Sequence, residues 1–364
     1  MTETNALVLT EVRGRIGCIT LNRARALNAL SLEMVRELMA ALLTWRDDPQ
    51  VLAVALRGSN KEGVFGALCA GGDIRFLHQA GSTGNPQLED FFTEEYALNH
   101  LIHHYPKPYI AFMDGIVMGG GMGISQGASA RIVTERTKMA MPETAIGLFP
   151  DVGGGYFLSR CPGRAGEWLA LTGDTIGAGD AIALNLADGF VPSGRLAEIW
   201  EGLATQAFTD GAAVQQWIDA QLGTAETHLS VHQTAIDRIF ALPTVAAIVA
   251  ALEAEGSNWA LATVATLRKR SPLMLHVVLE QMRRARAMGL SDDLRMERDM
   301  VRHCFYLRPG QSETVEGIRA LAVDKDHAPR WNPARIEDVQ DADWQAFFAS
   351  PWPAYAHPLA GLAD

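Results

Sequence analysis

Cysteine is scarce in this chain of 364 residues: Cys18, Cys69, Cys161 and Cys304 stand far apart and form no CxxC pair. That spacing suits neither a disulfide framework nor a thiolate metal site, and the four read as free thiols in a reducing compartment. Basic residues are outnumbered, 31 against 42, for a formal net charge of −11, so the basic face that nucleic acid demands is not expected. No apolar run reaches the roughly 18 residues of a membrane span. The opening string MTETNALVLTEV has no basic leader and no long apolar stretch. These gaps predict a cytoplasmic protein with no nucleic-acid or membrane partner. Signature loops are missing too. The phosphate loop GxxxxGK[ST] is absent, and Gly121-Met122-Gly123 is followed by Gly127, one position too late for the dinucleotide pattern GxGxxG. No serine nucleophile is expected. His100, His103 and His104 have helical spacing, but without HExxH or a matching carboxylate set they predict no metal.

What is present alternates between strand and helix patterns. Residues 6–12 and 15–21 read as strands about an Arg13-Gly14 turn. Ser31 can cap a helix whose Leu32, Val35, Leu38, Met39 and Leu42 form one stripe. VLAVALR (51–57) and residues 109–114 are continuous apolar runs, as in strands buried on both faces. Short strands are predicted at 130–134 and 138–141, and a helix at FFTEEYALNHLIHHY, closed by Pro106. Beyond Arg195 the chain is rich in Ala and Leu, with helical periodicity and no convincing strand. Ser271-Pro272 has the chemistry of a helix start. The Pro- and Trp-rich strings PRWNP and SPWPAYAHP suit a surface-wrapping tail. This predicts an α/β core over residues 1–195 and a helical region over 196–364 that covers the site.

Three segments concentrate glycine at strand-to-helix junctions: FGALCAGGDI (65–74), GIVMGGGMG (115–123) and PETAIGLFPDVGGG (142–155). Glycine lets backbone N–H groups approach a ligand, and a helix N-terminus adds partial positive charge. Two such groups aimed at one point can hold the oxyanion formed when a carbonyl is attacked. The same glycines also suit tight turns and close packing. Glu143 and Asp151 bracket the third segment, where two carboxylates can converge on one cavity, one activating water and the other managing a second proton. The alternative makes Asp151 a helix cap and Glu143 a surface acid. Glu94 and Glu95 lie in an otherwise apolar helix pattern, and one of them can face inward. Arg283, Arg284 and Arg286 read as a solvated helix face, with an anionic phosphate as the alternative partner.

ITLNRARALNAL (19–30), CAGGDI (69–74), MGGGMG (118–123) and PETAIGLFPDVGGGYFLSR (142–160) resemble the enoyl-CoA hydratase/isomerase, or crotonase, superfamily. FFTEEYALN (91–99) and EGIRALAVDKDHAPRWNPARIEDV (316–339) extend the likeness over nearly the whole chain and narrow it to the branch that hydrolyses 3-hydroxyisobutyryl-CoA. The resemblance implies an α/β crotonase-like spiral of ββα units with a helical C-terminal extension. It implies that the N–H groups of Gly72 and Gly120 polarise a thioester carbonyl, that Glu143 is the catalytic glutamate, and that Asp151 marks the hydrolase branch. Glu95 would line the acyl pocket with Gly120, Glu143 and Asp151. Coenzyme A would lie along Arg25, Ala26 and Leu27 and the backbone of Ala70, Gly72, Asp73 and Ile74. Typical hydratases carry a second glutamate where this chain has Gly123, and tend to have glycine where it has Asp151. Both departures favour hydrolysis. The implied substrate is a small branched 3-hydroxyacyl-CoA of valine breakdown, with no cofactor beyond the coenzyme A of the substrate. A homo-oligomer is compatible, since crotonases often form trimers, although the hydrolase branch can satisfy its site within one chain.

Overall fold

The apolar runs of the N-terminal half pair into a six-stranded sheet in a computed structural model that describes residues 6–60 and 65–364. The named strands are β1 (Val8–Arg13), β2 (Ile16–Leu21), β3 (Ala53–Gly58), β4 (Tyr109–Met113), β5 (Ile116–Met118), β6 (Ala130–Val133), β7 (Lys138–Ala140) and β8 (Gly189–Phe190). The large sheet runs β1-β2-β3-β4-β6-β8, while β5 and β7 form a separate pair. Only β1 is antiparallel to its neighbour; β2, β3, β4, β6 and β8 pair in parallel. Parallel strands need both faces covered, and every residue of β2 and β4 is buried.

By its internal contacts the chain forms two compact units. The first takes Met1–Gly72, Ala97–Met139 and Thr175–His228; the second takes Asp73–Tyr96, Ala140–Asp174 and Leu229–Asp364. Each therefore draws on chain from both sides of residue 195. In the first unit, Ile16, Cys18, Ala55, Ile110, Phe112 and Ile132 of the sheet pack against Trp200 and Leu203 of a helix at Leu196–Thr205. Phe112 and Trp200 meet edge to face at 5.5 Å, and the Arg57 guanidinium lies over Trp200 at 4.1 Å. Helix α1 (Leu32–Arg46) starts where Ser31 accepts the Met34 N–H at 3.3 Å, and it buries the expected Leu32, Val35, Leu38 and Leu42.

The second unit is helical. It holds α2 (Ile74–Thr83), capped by Asp73, and the first part of α3 (Gln87–His103). Later in its chain come the helices Pro272–Ala285 and Leu290–Tyr306. Ser271 and Pro272 start the former as their chemistry predicts, with Ser271 Oγ accepting the Met274 N–H at 3.2 Å. Among the described residues no strand follows Phe190, and no helix is long and apolar enough to cross a membrane. None of the four cysteines forms a disulfide, and all are buried.

Candidate active site

Local sequence turns three acids of the second unit inward. Pro142 ends the extended chain and opens a 3-10 turn at Glu143–Ile146, whose first residue is buried. The next turn passes Asp151 and enters a short helix, α5 (Gly154–Ser159), through Val152 at φ 57° and Gly153 at φ 85°. On α3, Phe91, Phe92, Glu95 and Tyr96 share the buried side, whereas Glu94 is only half-buried. Glu95, Glu143 and Asp151 are 2%, 6% and 6% exposed, which removes the surface-acid reading of Glu143. Asp151 is not a cap either: Gly153 holds that position, with no side-chain bond.

The cluster is short of hydrogen-bond partners, and that shapes its charge. Tyr96 donates its hydroxyl to Asp151 Oδ2 at 2.9 Å. Glu95 Oε1 and Glu143 Oε2 are buried with no partner among the described residues. Burial pushes Asp151 up to about 7, against the pull of the Tyr96 hydrogen bond. Burial also holds Glu95 and Glu143 well above the usual carboxylate range, and the negative charge of Asp151 raises both further. Like charges with so few partners resist ionising together, so the trio does not carry three fixed charges. A buried carboxyl in that state can serve as base, nucleophile or proton carrier.

The first unit brings two of the glycine segments side by side. Cys69 N–H donates to Ile116 O at 3.1 Å and Met118 N–H to Cys69 O at 3.0 Å, zipping the CAGG loop to β5. Gly71, at φ 103°, leaves room for the turn beyond: a Cβ there would lie 3.9 Å from the Gly120 nitrogen. Gly121 is packed so closely that a Cβ would sit 2.4 Å from Cys69 O. Gly120 opens helix α4 (Gly120–Gln126), where the first N–H groups have no intrahelical acceptor. Gly72, in turn, is bridged to Leu30, and Leu30 N–H donates to Gly71 O at 2.8 Å. The stretch holding Arg25, Ala26 and Leu27 is tied to the same loop, for Ala70 N–H donates to Leu27 O at 3.0 Å. Arg25 and Leu27 are exposed there. Asp73 spends its carboxylate on the N–H of Phe76 at 3.3 Å, starting α2 at Ile74.

Two expectations need correction. The string Gly123-Ile124-Ser125-Gln126-Gly127 does fit the GxSxG spacing, so the case against a serine nucleophile rests on geometry instead. Ser125 lies buried inside α4 and donates to Gly121 O at 2.7 Å, far from an exposed strand-to-helix elbow. Arg286 is only part-solvated: it donates to both carboxylate oxygens of buried Glu167 at 2.7 Å. Sequence reasoning also passed over Tyr96, Gln281, Asp293 and Glu297. The signal for the last two was present: they share a helical stripe with Leu290, Leu294 and Val301, and an acid in an apolar stripe must find a buried partner.

The fold is that of the crotonases. A carnitinyl-CoA dehydratase structure from Mycobacterium thermoresistibile matches 95% of this chain and 97% of its own, with a TM-score of 0.86 and 39% identity. An enoyl-CoA hydratase structure from Rhodobacter sphaeroides matches 95% of this chain and 98% of its own, with a TM-score of 0.84 and 39% identity. The enoyl-CoA hydratase/isomerase family model covers residues 16–348, and the chain belongs to that family. The mitochondrial 3-hydroxyisobutyryl-CoA hydrolase of Gallus gallus is 38% identical over 349 residues, 93% of this chain and 88% of that protein.

Proposed function

We propose that this chain hydrolyses 3-hydroxyisobutyryl-CoA, or a closely similar small branched 3-hydroxyacyl thioester, to the free acid and coenzyme A. The observation that carries the reading is the buried trio Glu95, Glu143 and Asp151, with Tyr96 bonded to Asp151. The N–H groups of Gly72 and Gly120 are assigned to the thioester oxygen, where losing one such donor costs about 10²–10³ in rate. Glu143 either takes a proton from the attacking water or attacks the carbonyl itself, forming an anhydride that water then opens. By both routes the C–S bond breaks, water supplies the new C–O bond, and the departing thiolate gains a proton. Asp151, at about 7, suits that last transfer, and with Glu95 it would orient the acyl hydroxyl. Arg25, Ala26 and Leu27, with the backbone of Ala70–Ile74, are assigned to the coenzyme end. The proposed steps call for no metal or redox group.

Hydration of a double bond is the second reading, favoured by the names of the two solved relatives. Against it stands Gly123, which offers no side chain for a second proton transfer. Thiol release from 3-hydroxyisobutyryl-CoA, run beside hydration of crotonyl-CoA, separates the two. Rapid thiol release with little hydration supports hydrolysis, whereas hydration without thiol release overturns it.

A further inference from the structure

The turn that carries Asp151 is strained. Val152 is β-branched and buried, yet sits at φ 57°. Such a conformation costs of order 1–3 kcal/mol and persists only where its surroundings over-determine it. Here the surroundings are side chains from two C-terminal helices. Gln281, on Pro272–Ala285, donates Nε2 to Pro150 O at 2.7 Å and to Glu297 Oε1 at 3.2 Å. Glu297, on Leu290–Tyr306, accepts the Gly153 N–H at 2.7 Å through Oε2 and the Gly155 N–H at 2.9 Å through Oε1. Asp293, one helical turn earlier, accepts the Tyr156 N–H at 2.8 Å. None of these three side chains belongs to a residue with any exposure.

A six-residue helix needs far less at its start. A hydroxyl or water would satisfy its N–H groups, whereas two acids buried side by side are costly to desolvate. The next residue along the same helix completes the pattern. Arg298 donates Nε to Thr93 Oγ1 at 3.0 Å and pairs with the Glu89 carboxylate, both on α3 one turn or more before Tyr96. Consecutive side chains of one helix therefore hold the two segments that carry the Tyr96–Asp151 bond, Arg298 the helix of Tyr96 and Glu297 the turn that follows Asp151.

We propose that Glu297, backed by Asp293, is a positioning residue that holds the Asp151 carboxylate against the Tyr96 hydroxyl. Its rate measurement rests on the hydrolase reading. In Glu297→Gln, the amide places an NH₂ against one of the two glycine N–H groups, so the turn loses a bond and gains a repulsion. The kcat for thiol release should fall about 10²-fold, the scale of a misplacement near 1 Å, while KM stays within about threefold. Combined with Tyr96→Phe, the losses should be far from additive, because both act on one bond. An unchanged kcat with a lowered melting temperature, or strictly additive losses, overturns the proposal. Should that variant not fold, Asp293→Asn takes its place, with a kcat loss of about tenfold at unchanged KM expected by the same coupling; an unchanged kcat would count against positioning. The carboxyl ¹³C resonance of Asp151 needs no turnover: displacement in the folded variant supports the proposal, and an unmoved resonance sinks it. Wild-type protein that releases no thiol would refute the hydrolase reading and leave the resonance test standing.

Discussion

The Tyr96 hydroxyl reaches Asp151 Oδ2 at 2.9 Å from a position 55 residues away in the chain. That bond favours the ionised carboxylate while burial opposes it, and the balance leaves Asp151 at about 7. Tyr96→Phe removes the favourable part. A hydrogen bond to a charged group is worth about 1.5–3 kcal/mol, so the limb of the pH–rate profile that Asp151 sets as proton donor, the alkaline one, should move up by roughly 1–2 units. Below that limb the rate should fall about tenfold, because the carboxyl loses the bond that aligns it. Thiol-release profiles of the two proteins check this, and superimposable curves would show that Tyr96 does not act on Asp151.

Burial also makes stability depend on pH. Asp151 and Asp293 are both pushed from 3.8 up to about 7. Between those values the folded chain holds protons that the unfolded chain has released. The stability so gained is full below the unfolded value and is lost as pH rises through about 7. Each group contributes roughly 4 kcal/mol at most. Denaturant unfolding should therefore show stability falling from mildly acid toward mildly alkaline pH, with a shallower slope in Asp151→Asn. Equal slopes in variant and wild type would refute the linkage.

Glu143→Gln preserves shape and removes the base. Thiol release should drop by about 10³-fold, within the usual range for a lost general base, while equilibrium binding of the thioester stays close to that of the wild type. Calorimetric titration and turnover on the same preparation test both halves. Near-normal turnover would remove Glu143 from the chemistry.

The glycine turns can be probed by a matched pair of substitutions. Gly121→Ala drives a Cβ to 2.4 Å from Cys69 O, so the two loops must part. A stability loss of about 1–3 kcal/mol should accompany a rate loss approaching the roughly 10²–10³ of a missing oxyanion donor. Gly84→Ala meets no atom within 4 Å at its φ of 68°. It should cost about 1 kcal/mol through backbone conformation alone and leave kcat untouched. Equal kinetic effects in the two variants would separate the Gly121 turn from catalysis.

Much of the fold could be read from local pattern. The runs at 51–57 and 109–114 overlap β3 and β4, with boundaries shifted by one or two residues because pairing begins where a neighbouring strand is available. Local pattern marked Glu143 and Asp151 only as a pair able to converge, and the family resemblance supplied their roles. Their partners were not legible. Tyr96 meets Asp151 across 55 residues, and Glu297 meets Gly153 across 144. No periodicity carries information over such distances. Arg286 was misread because a basic run at a helix end looks solvated until a buried acid such as Glu167 is known to face it.

The interleaving of the second unit also imposes an order in time. Tyr96 and Asp151 leave the ribosome well before Gln281, Asp293 and Glu297, yet the strained turn at Val152 depends on all three later side chains. Until residue 297 has emerged, the Asp151 turn has no buried acceptors and can relax to an ordinary backbone conformation. The nascent chain therefore carries its acids uncommitted, free to stay hydrated and charged, while the sheet of the first unit can form from residues already made. Translation itself would close the site last.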